Sequence, residues 1–151
     1  MGCPLAKTLR VNLHSPAILC KKVIQHFIQK KASGRIINIS SRAAYRGETA
    51  EYLAYASSKA GLVALTRSIA KSFGKKGIKA FNIAPGFVRT DMAKAFISQY
   101  GEDHAKGDIA LERLTEPKDL APLITFLASG MSDHATGSTF DINAGSYLHD
   151  S

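Results

Sequence analysis

Arg35-Ile36-Ile37-Asn38-Ile39-Ser40-Ser41 is a short β-branched run that stops in two small hydroxyl residues, the pattern of a strand with a polar carboxyl end. Upstream, Ser15-Pro16 predicts a helix opening, with a capping hydroxyl and a proline in the first turn. Cys20, Ile24, Phe27 and Ile28 keep an apolar face to about residue 31, and Gly34 is expected to end it. Downstream, a turn-rich stretch through Gly47 leads into a long helix over about residues 50–73, where Leu62, Leu65, Ile69 and Phe73 follow helical spacing and Gly74 and Gly77 stop the run. Ile78-Lys79-Ala80-Phe81-Asn82-Ile83-Ala84 reads as a second strand, closed by Pro85-Gly86. Residues 87–115 are polar and irregular, with a short helix expected near 92–99, and resemble a flap over a site. Thr115 is placed to cap a helix beginning Glu116-Pro117 and running through Leu127, and Ser138-Thr139-Phe140-Asp141-Ile142 reads as a last strand. Strands alternating with helices predict an α/β fold with right-handed parallel crossovers, in which ligands sit at the carboxyl ends of strands. Ser41 and Pro85-Gly86 lie at such ends.

A chain of 151 residues, 45% hydrophobic and 21% charged, suits one domain, residues 1–151, around one core. Its apolar stretches are far shorter than the roughly 20 residues that span a bilayer, so no membrane contact is expected. Lys7, Arg10, Asn12 and His14 interrupt anything like a secretory segment, which predicts a cytoplasmic location. Met1-Gly2-Cys3 opens like a myristoylation signal, but Ala6 stands where Ser or Thr is needed. Cys3 and Cys20 lack metal-ligand spacing, so neither a disulfide scaffold nor a metal site is expected. The net charge of +8 divides into +13 over residues 1–79 and −5 over the remainder. A basic half can attract phosphate or an acidic carrier protein. With no nucleic-acid motif beside it, it reads as a solvated face.

The sharpest chemical signal is Tyr55-Ala56-Ser57-Ser58-Lys59, because residues four apart on a helix share one face. A free phenol ionises near a pKa of about 10, so a tyrosine exchanging protons near neutrality needs its anion favoured by about 4 kcal/mol. A neighbouring ammonium acts in that direction.

Together with a strand ending in Ser41 and a second strand ending in Pro85-Gly86-Phe87-Val88-Arg89-Thr90-Asp91, this order resembles the short-chain dehydrogenase/reductase family from about residue 11 to 145, leaning toward 3-oxoacyl-(acyl-carrier-protein) reductase-like members. The resemblance implies a partial Rossmann-like, doubly wound parallel sheet made of the last three strands with their flanking helices. It implies Tyr55 as general acid/base, Lys59 as the group that favours the phenolate and holds the nicotinamide ribose, and Ser41 as the hydroxyl that binds the substrate oxygen, with Ser40 the less favoured neighbour. Ser41 and Tyr55 stand one residue further apart than is common in the family. Asn12, in Val11-Asn12-Leu13, is similar to the helix asparagine whose bound water relays protons to the lysine. Pro85, Gly86, Val88 and Thr90 resemble the turn beside the nicotinamide. Asn143-Ala144-Gly145 stands where the family often has Asp-Gly-Gly.

The implied cofactor is NADP or NAD, and the implied substrate a small carbonyl or alcohol, with a carrier-linked acyl group among the forms the resemblance admits. Neither Gly-x-x-x-Gly-x-Gly nor Gly-x-Gly-x-x-Gly occurs in the sequence, so the diphosphate grip of the family is missing. The resemblance places the first residue just before the family's fourth major helix, which predicts a truncated product of impaired activity and an unpaired edge on the strand at residues 35–39. Relatives pack the equivalents of both long helices against partner subunits, implying a homo-oligomer. Three readings stand: an oxidoreductase, a non-catalytic paralogue that joins a full-length subunit, and a nucleic-acid binder through the basic half, the last the least favoured.

Overall fold

The computed structural model describes residues 4–148. In chain order its elements are α1 (Pro4–Leu9), α2 (Ser15–Gln29), β1 (Gly34–Ile39), α3 (Ala43–Arg46), α4 (Leu53–Phe73), β2 (Ile78–Pro85), α5 (Asp91–Tyr100), α6 (Glu102–Lys106), α7 (Pro117–Ser129) and β3 (Thr139–Ile142). The strands form one parallel sheet in the order β1-β2-β3, with Gly34 opposite Ile78 and Asn82 opposite Thr139. One face is covered by α2 and α4, which pack Cys20, Ile24, Ile69 and Ala70 against Ile78 and Ala80. The other is covered by α7, whose Leu127 packs against Phe81 and Ile83. Helices on both faces of a parallel sheet make the expected doubly wound, partial Rossmann-like α/β arrangement.

Strand β2 is the apolar centre because it is covered on both faces and paired on both sides: Ile78, Ala80, Phe81, Ile83 and Ala84 have no exposed surface. Burying each of the larger side chains contributes about 1.5–3 kcal/mol. Strand β1 pairs with β2 alone among the described residues. The amides of Gly34 and Ser40 donate to the carbonyls of Gly77 and Ile83, so by alternation the backbone groups of Arg35, Ile37 and Ile39 face the open edge.

Three local expectations are corrected. Ser15-Pro16 begins α2 but does not cap it: α1 runs into α2 through a π-helical turn at Arg10–His14, and His14 and Ser15 are both helical. Pro16 cannot donate to the carbonyl one turn back, and the wider turn takes up that missing bond while Ser15 Oγ donates to the Arg10 carbonyl at 2.9 Å. Gly34 does not end α2. Lys31 does so in the left-handed conformation (φ 51°), with the Lys31 and Ala32 amides closing back on Ile28 and Phe27 in a Schellman arrangement. Gly34 instead begins β1 beneath the Phe27 ring, which occupies the space a side chain would need. Thr115 does not cap α7: Glu116 does, in a reciprocal box in which Asp119 accepts the Glu116 amide at 2.8 Å. Finally, the long helix is preceded by a 3₁₀ turn over Ala50–Tyr52. Cys3 lies outside the described residues, whereas Cys20 is buried and burial pushes its thiol pKa up. No helix among the described residues is long and apolar enough to cross a membrane.

Candidate active site

The first two turns of α4 carry Tyr55 and Lys59 past the carboxyl end of β1. Their one-turn separation places the Lys59 ammonium 5.6 Å from the centre of the Tyr55 ring, within cation–π range. Tyr55 is 36% exposed, open enough to meet a substrate, while Lys59 is half-buried and its pKa is lowered by burial. Lys59 Nζ donates to the Ile39 carbonyl at 3.0 Å. That carbonyl faces the open edge of β1, so the lysine ties the acid–base helix to the last residue of the strand.

Asn12 sits in the π-helical turn, and such turns are common at functional sites. Its Nδ2 donates to Ser58 Oγ at 3.2 Å, and Ser58 Oγ donates to the Tyr55 carbonyl at 2.7 Å. Asn12 therefore reaches α4 one residue short of Lys59. The two serines after β1 divide their tasks. Ser40 donates to the Ile83 carbonyl and accepts from Asn82 Nδ2 at 2.8 Å, committing it to the sheet interior. Ser41 accepts the Ala43 amide at 3.2 Å at the start of α3. The structure does not join the hydroxyls of Ser41 and Tyr55 by a hydrogen bond.

Pro85 ends β2 buried, and the Gly86 amide donates to the Ile142 carbonyl at 3.0 Å. A Cβ on Gly86 would stand 2.8 Å from Asn143 Cα, so glycine is what lets the turn close on the end of β3. Val88 bridges Thr115, with the Arg89 amide donating to the Thr115 carbonyl at 2.8 Å. Exposed Thr90 precedes α5 in extended conformation. The carboxyl ends of the three parallel strands lie at one edge of the sheet, and Lys59 is tied to the end of β1 there.

A family model described as enoyl-(acyl carrier protein) reductase matches residues 4–147. The chain belongs to the short-chain dehydrogenase/reductase family. It is 32% identical over 140 residues to the 3-oxoacyl-[acyl-carrier-protein] reductase of Vibrio harveyi, covering 93% of this chain and 56% of that one. It is 33% identical over 142 residues to the (3R)-3-hydroxyacyl-CoA dehydrogenase of Canis lupus familiaris, covering 94% and 54%. A solved structure of 4-hydroxyisoleucine dehydrogenase complexed with NADH superposes with a TM-score of 0.92 at 31% identity, over 99% of this chain and 62% of that one. The chain spans little more than half the length of the curated relatives it matches.

In this short-chain dehydrogenase/reductase chain, residues 87–115, expected as a flap, carry several ion pairs. Glu102 takes Lys106 at 2.9 Å and Arg89 at 2.5 Å, and these contacts lower its pKa, Lys106 first. Arg113 grips Asp119 through two bonds of 2.6 and 2.7 Å, holding that carboxyl far below the usual range. Sequence reasoning missed Ser58 and Gly61. Ser58 is fully buried on the inner face of α4, and its position three residues after Tyr55 was the available signal. At Gly61 a Cβ would stand 2.7 Å from Leu13, so this glycine lets the Asn12 turn approach α4 closely, a demand that depends on tertiary packing.

Proposed function

We propose that this chain carries the proton-handling part of a nicotinamide-dependent oxidoreductase that interconverts a carbonyl and a secondary alcohol. The observation that carries this reading is the Tyr55–Lys59 pair on one accessible helix face beside the ends of β1 and β2. In reduction, the Tyr55 hydroxyl gives its proton to the substrate oxygen, and in oxidation the phenolate takes it back. The Lys59 charge favours the phenolate, and Ser41 binds the same oxygen and steadies the charge that develops on it. Asn12 holds a water from which the lysine is re-protonated. A tyrosine and a serine that bind one substrate oxygen suit a carbonyl better than an isolated carbon–carbon double bond.

NAD or NADP, when bound, exchanges the hydride with the substrate carbon. The residues fit the nicotinamide end: Tyr55 and Lys59 for the ribose, with Pro85, Gly86, Val88 and Thr90 bordering the ring where β2 ends. The sequence has no glycine-rich loop for the diphosphate, so these residues fit only that end. The names of the relatives, which act on 3-oxoacyl or 3-hydroxyacyl groups, support a small carbonyl or alcohol substrate.

A second reading is favoured by the outer face of α2. Ile18, Leu19 and Val23 are exposed there, and a groove of about 400 Å³ between α2 and α4 is lined by Ala17, Ile28, Leu65 and Phe73. An apolar patch of this kind marks an association surface. In this reading the chain is a non-catalytic paralogue that joins a second copy or a longer relative.

Titration with NADPH and then NADH, followed by nicotinamide fluorescence, with turnover on a panel of small carbonyls and a Tyr55→Phe control, tests the first reading. Turnover that disappears in Tyr55→Phe supports it. Turnover unchanged by that substitution, or no cofactor binding, refutes it, and co-purification with a longer relative then favours the second.

A further inference from the structure

Arg42 follows Ser41 directly, and neither the sheet nor the proton chemistry explains its setting. Its amide donates to the Pro85 carbonyl at 3.0 Å, fastening the end of β1 to the end of β2. Its side chain is only 12% exposed, yet Nη1 is buried with no hydrogen-bond partner. Nη2 stands 4.0 Å from Oδ2 of Asp108 in the flap, and Arg46 Nη1 stands 3.5 Å from the same oxygen. Elsewhere in the molecule an arginine paired with a carboxylate is unmistakable: Arg35 grips Asp133 at 2.7 and 2.9 Å, and Arg113 grips Asp119 more closely still. Against that standard, the contacts of Arg42 and Arg46 with Asp108 are loose. A buried guanidinium N–H without an acceptor is costly. The arrangement therefore holds two cations, a loosely engaged and 67% exposed carboxylate, and one buried donor left over, all between Ser41 and the flap.

We propose that Arg42, assisted by Arg46, binds a carboxylate of the substrate, and that Asp108 is the flap group this carboxylate displaces. The proposal deepens the oxidoreductase reading by naming the substrate class as a free oxo acid or its hydroxy acid, since an acyl thioester carries no carboxylate at that place. The planar fork of arginine matches a carboxylate through two parallel bonds: Arg42 Nη2 already stands toward the flap oxygen, and the buried Nη1 is the second donor, reached once Asp108 is displaced. Charge selects a monoanion: Glu48 already accepts Arg46 Nε at 2.9 Å, so a doubly charged phosphate would meet Glu48 and Asp108 as well as the arginines.

The test is direct binding of acetoacetate and of its neutral methyl ester to the purified chain, by calorimetry or ligand-observed magnetic resonance. Acetoacetate is expected to bind more tightly than the ester by roughly tenfold or more, the scale of one charge-assisted pair. Arg42→Gln should abolish that preference and Arg42→Lys should reduce it, leaving the ester unchanged. Asp108→Asn, at an exposed position that does not threaten folding, should tighten acetoacetate several-fold. No acetoacetate binding at millimolar concentration, equal affinity for acid and ester, or indifference to Asp108→Asn overturns the proposal. Binding is read without turnover, so the failure of the oxidoreductase reading and the failure of this site give different results.

Discussion

Helix α4 presents Tyr55 and Lys59 from a base of buried residues, Ser58, Leu62, Thr66 and Ile69, whereas residues 87–115, read from the sequence as a flap, bury little beyond Ala93, Leu114 and Thr115 among the described residues and carry the ion pairs of Arg89, Lys106 and Arg113 with Glu102 and Asp119 at partly exposed positions. The first attachment is made of close-packed contacts that salt does not touch. The second relies in part on exposed charge pairs that contribute little singly and weaken with ionic strength. Proton transfer needs fixed geometry, while substrate entry needs a cover that yields. The two regions therefore call for different perturbations.

The largest effect is expected at the packed region. Tyr55→Phe should lower kcat/KM by roughly 10²–10⁴-fold, the usual worth of a positioned proton donor, with stability unchanged in urea denaturation. Next is the pH profile. Burial lowers the Lys59 pKa, so as pH rises the ammonium is lost earlier than from a free lysine, and the alkaline fall in kcat/KM should lie below the usual lysine range. Stability has the same sign: as pH drops through the usual lysine range the unfolded chain takes the proton first, so the contribution present at high pH is lost until the folded lysine is protonated as well. A profile with no alkaline fall below the usual lysine range would separate Lys59 from the proton chemistry.

A third perturbation sits where the regions meet. Gly86→Ala must push the turn off Asn143, where backbone and not a pliable side chain blocks it. The expected cost is about 1–3 kcal/mol, as for overpacking, measured as a shift in the urea midpoint. The smallest effect is at the flap. Arg113 holds the Asp119 carboxyl below the usual aspartate range, so the pair's stabilisation is full at neutral pH and disappears as pH falls through and below that range. Melting curves of wild type and Asp119→Asn should differ at neutral pH and converge in acid. If they differ equally at every pH, the carboxylate is not what fastens the flap.

The strands were legible because β-branched runs bounded by glycine and proline leave few alternatives, and the Tyr55–Lys59 pair because helical spacing alone puts both on one face. Ser15-Pro16 carries the local signals of a helix start and α2 does begin there, but the π-helical turn that joins it to α1 has no such signal. Lys31 carries no marker of a left-handed residue. Thr115 and Glu116 are both plausible caps by type, and only the reciprocal bond from Asp119 distinguishes them. The contact of Asn12 with Ser58 spans 46 positions, and the meeting of Arg42 with Asp108 joins α3 to a flap of irregular sequence. Neither has a local signature.

The alternation of backbone groups along β1 gives that strand two clocks. In hydrogen–deuterium exchange the amides of Ile36, Asn38 and Ser40, turned toward β2, should keep their protons far longer than those of Arg35, Ile37 and Ile39, turned outward. Any strand laid along that edge would slow the second set to the pace of the first. It would also compete with Lys59 for the Ile39 carbonyl, so the same isotope experiment would report both the arrival of a neighbour and the release of the lysine.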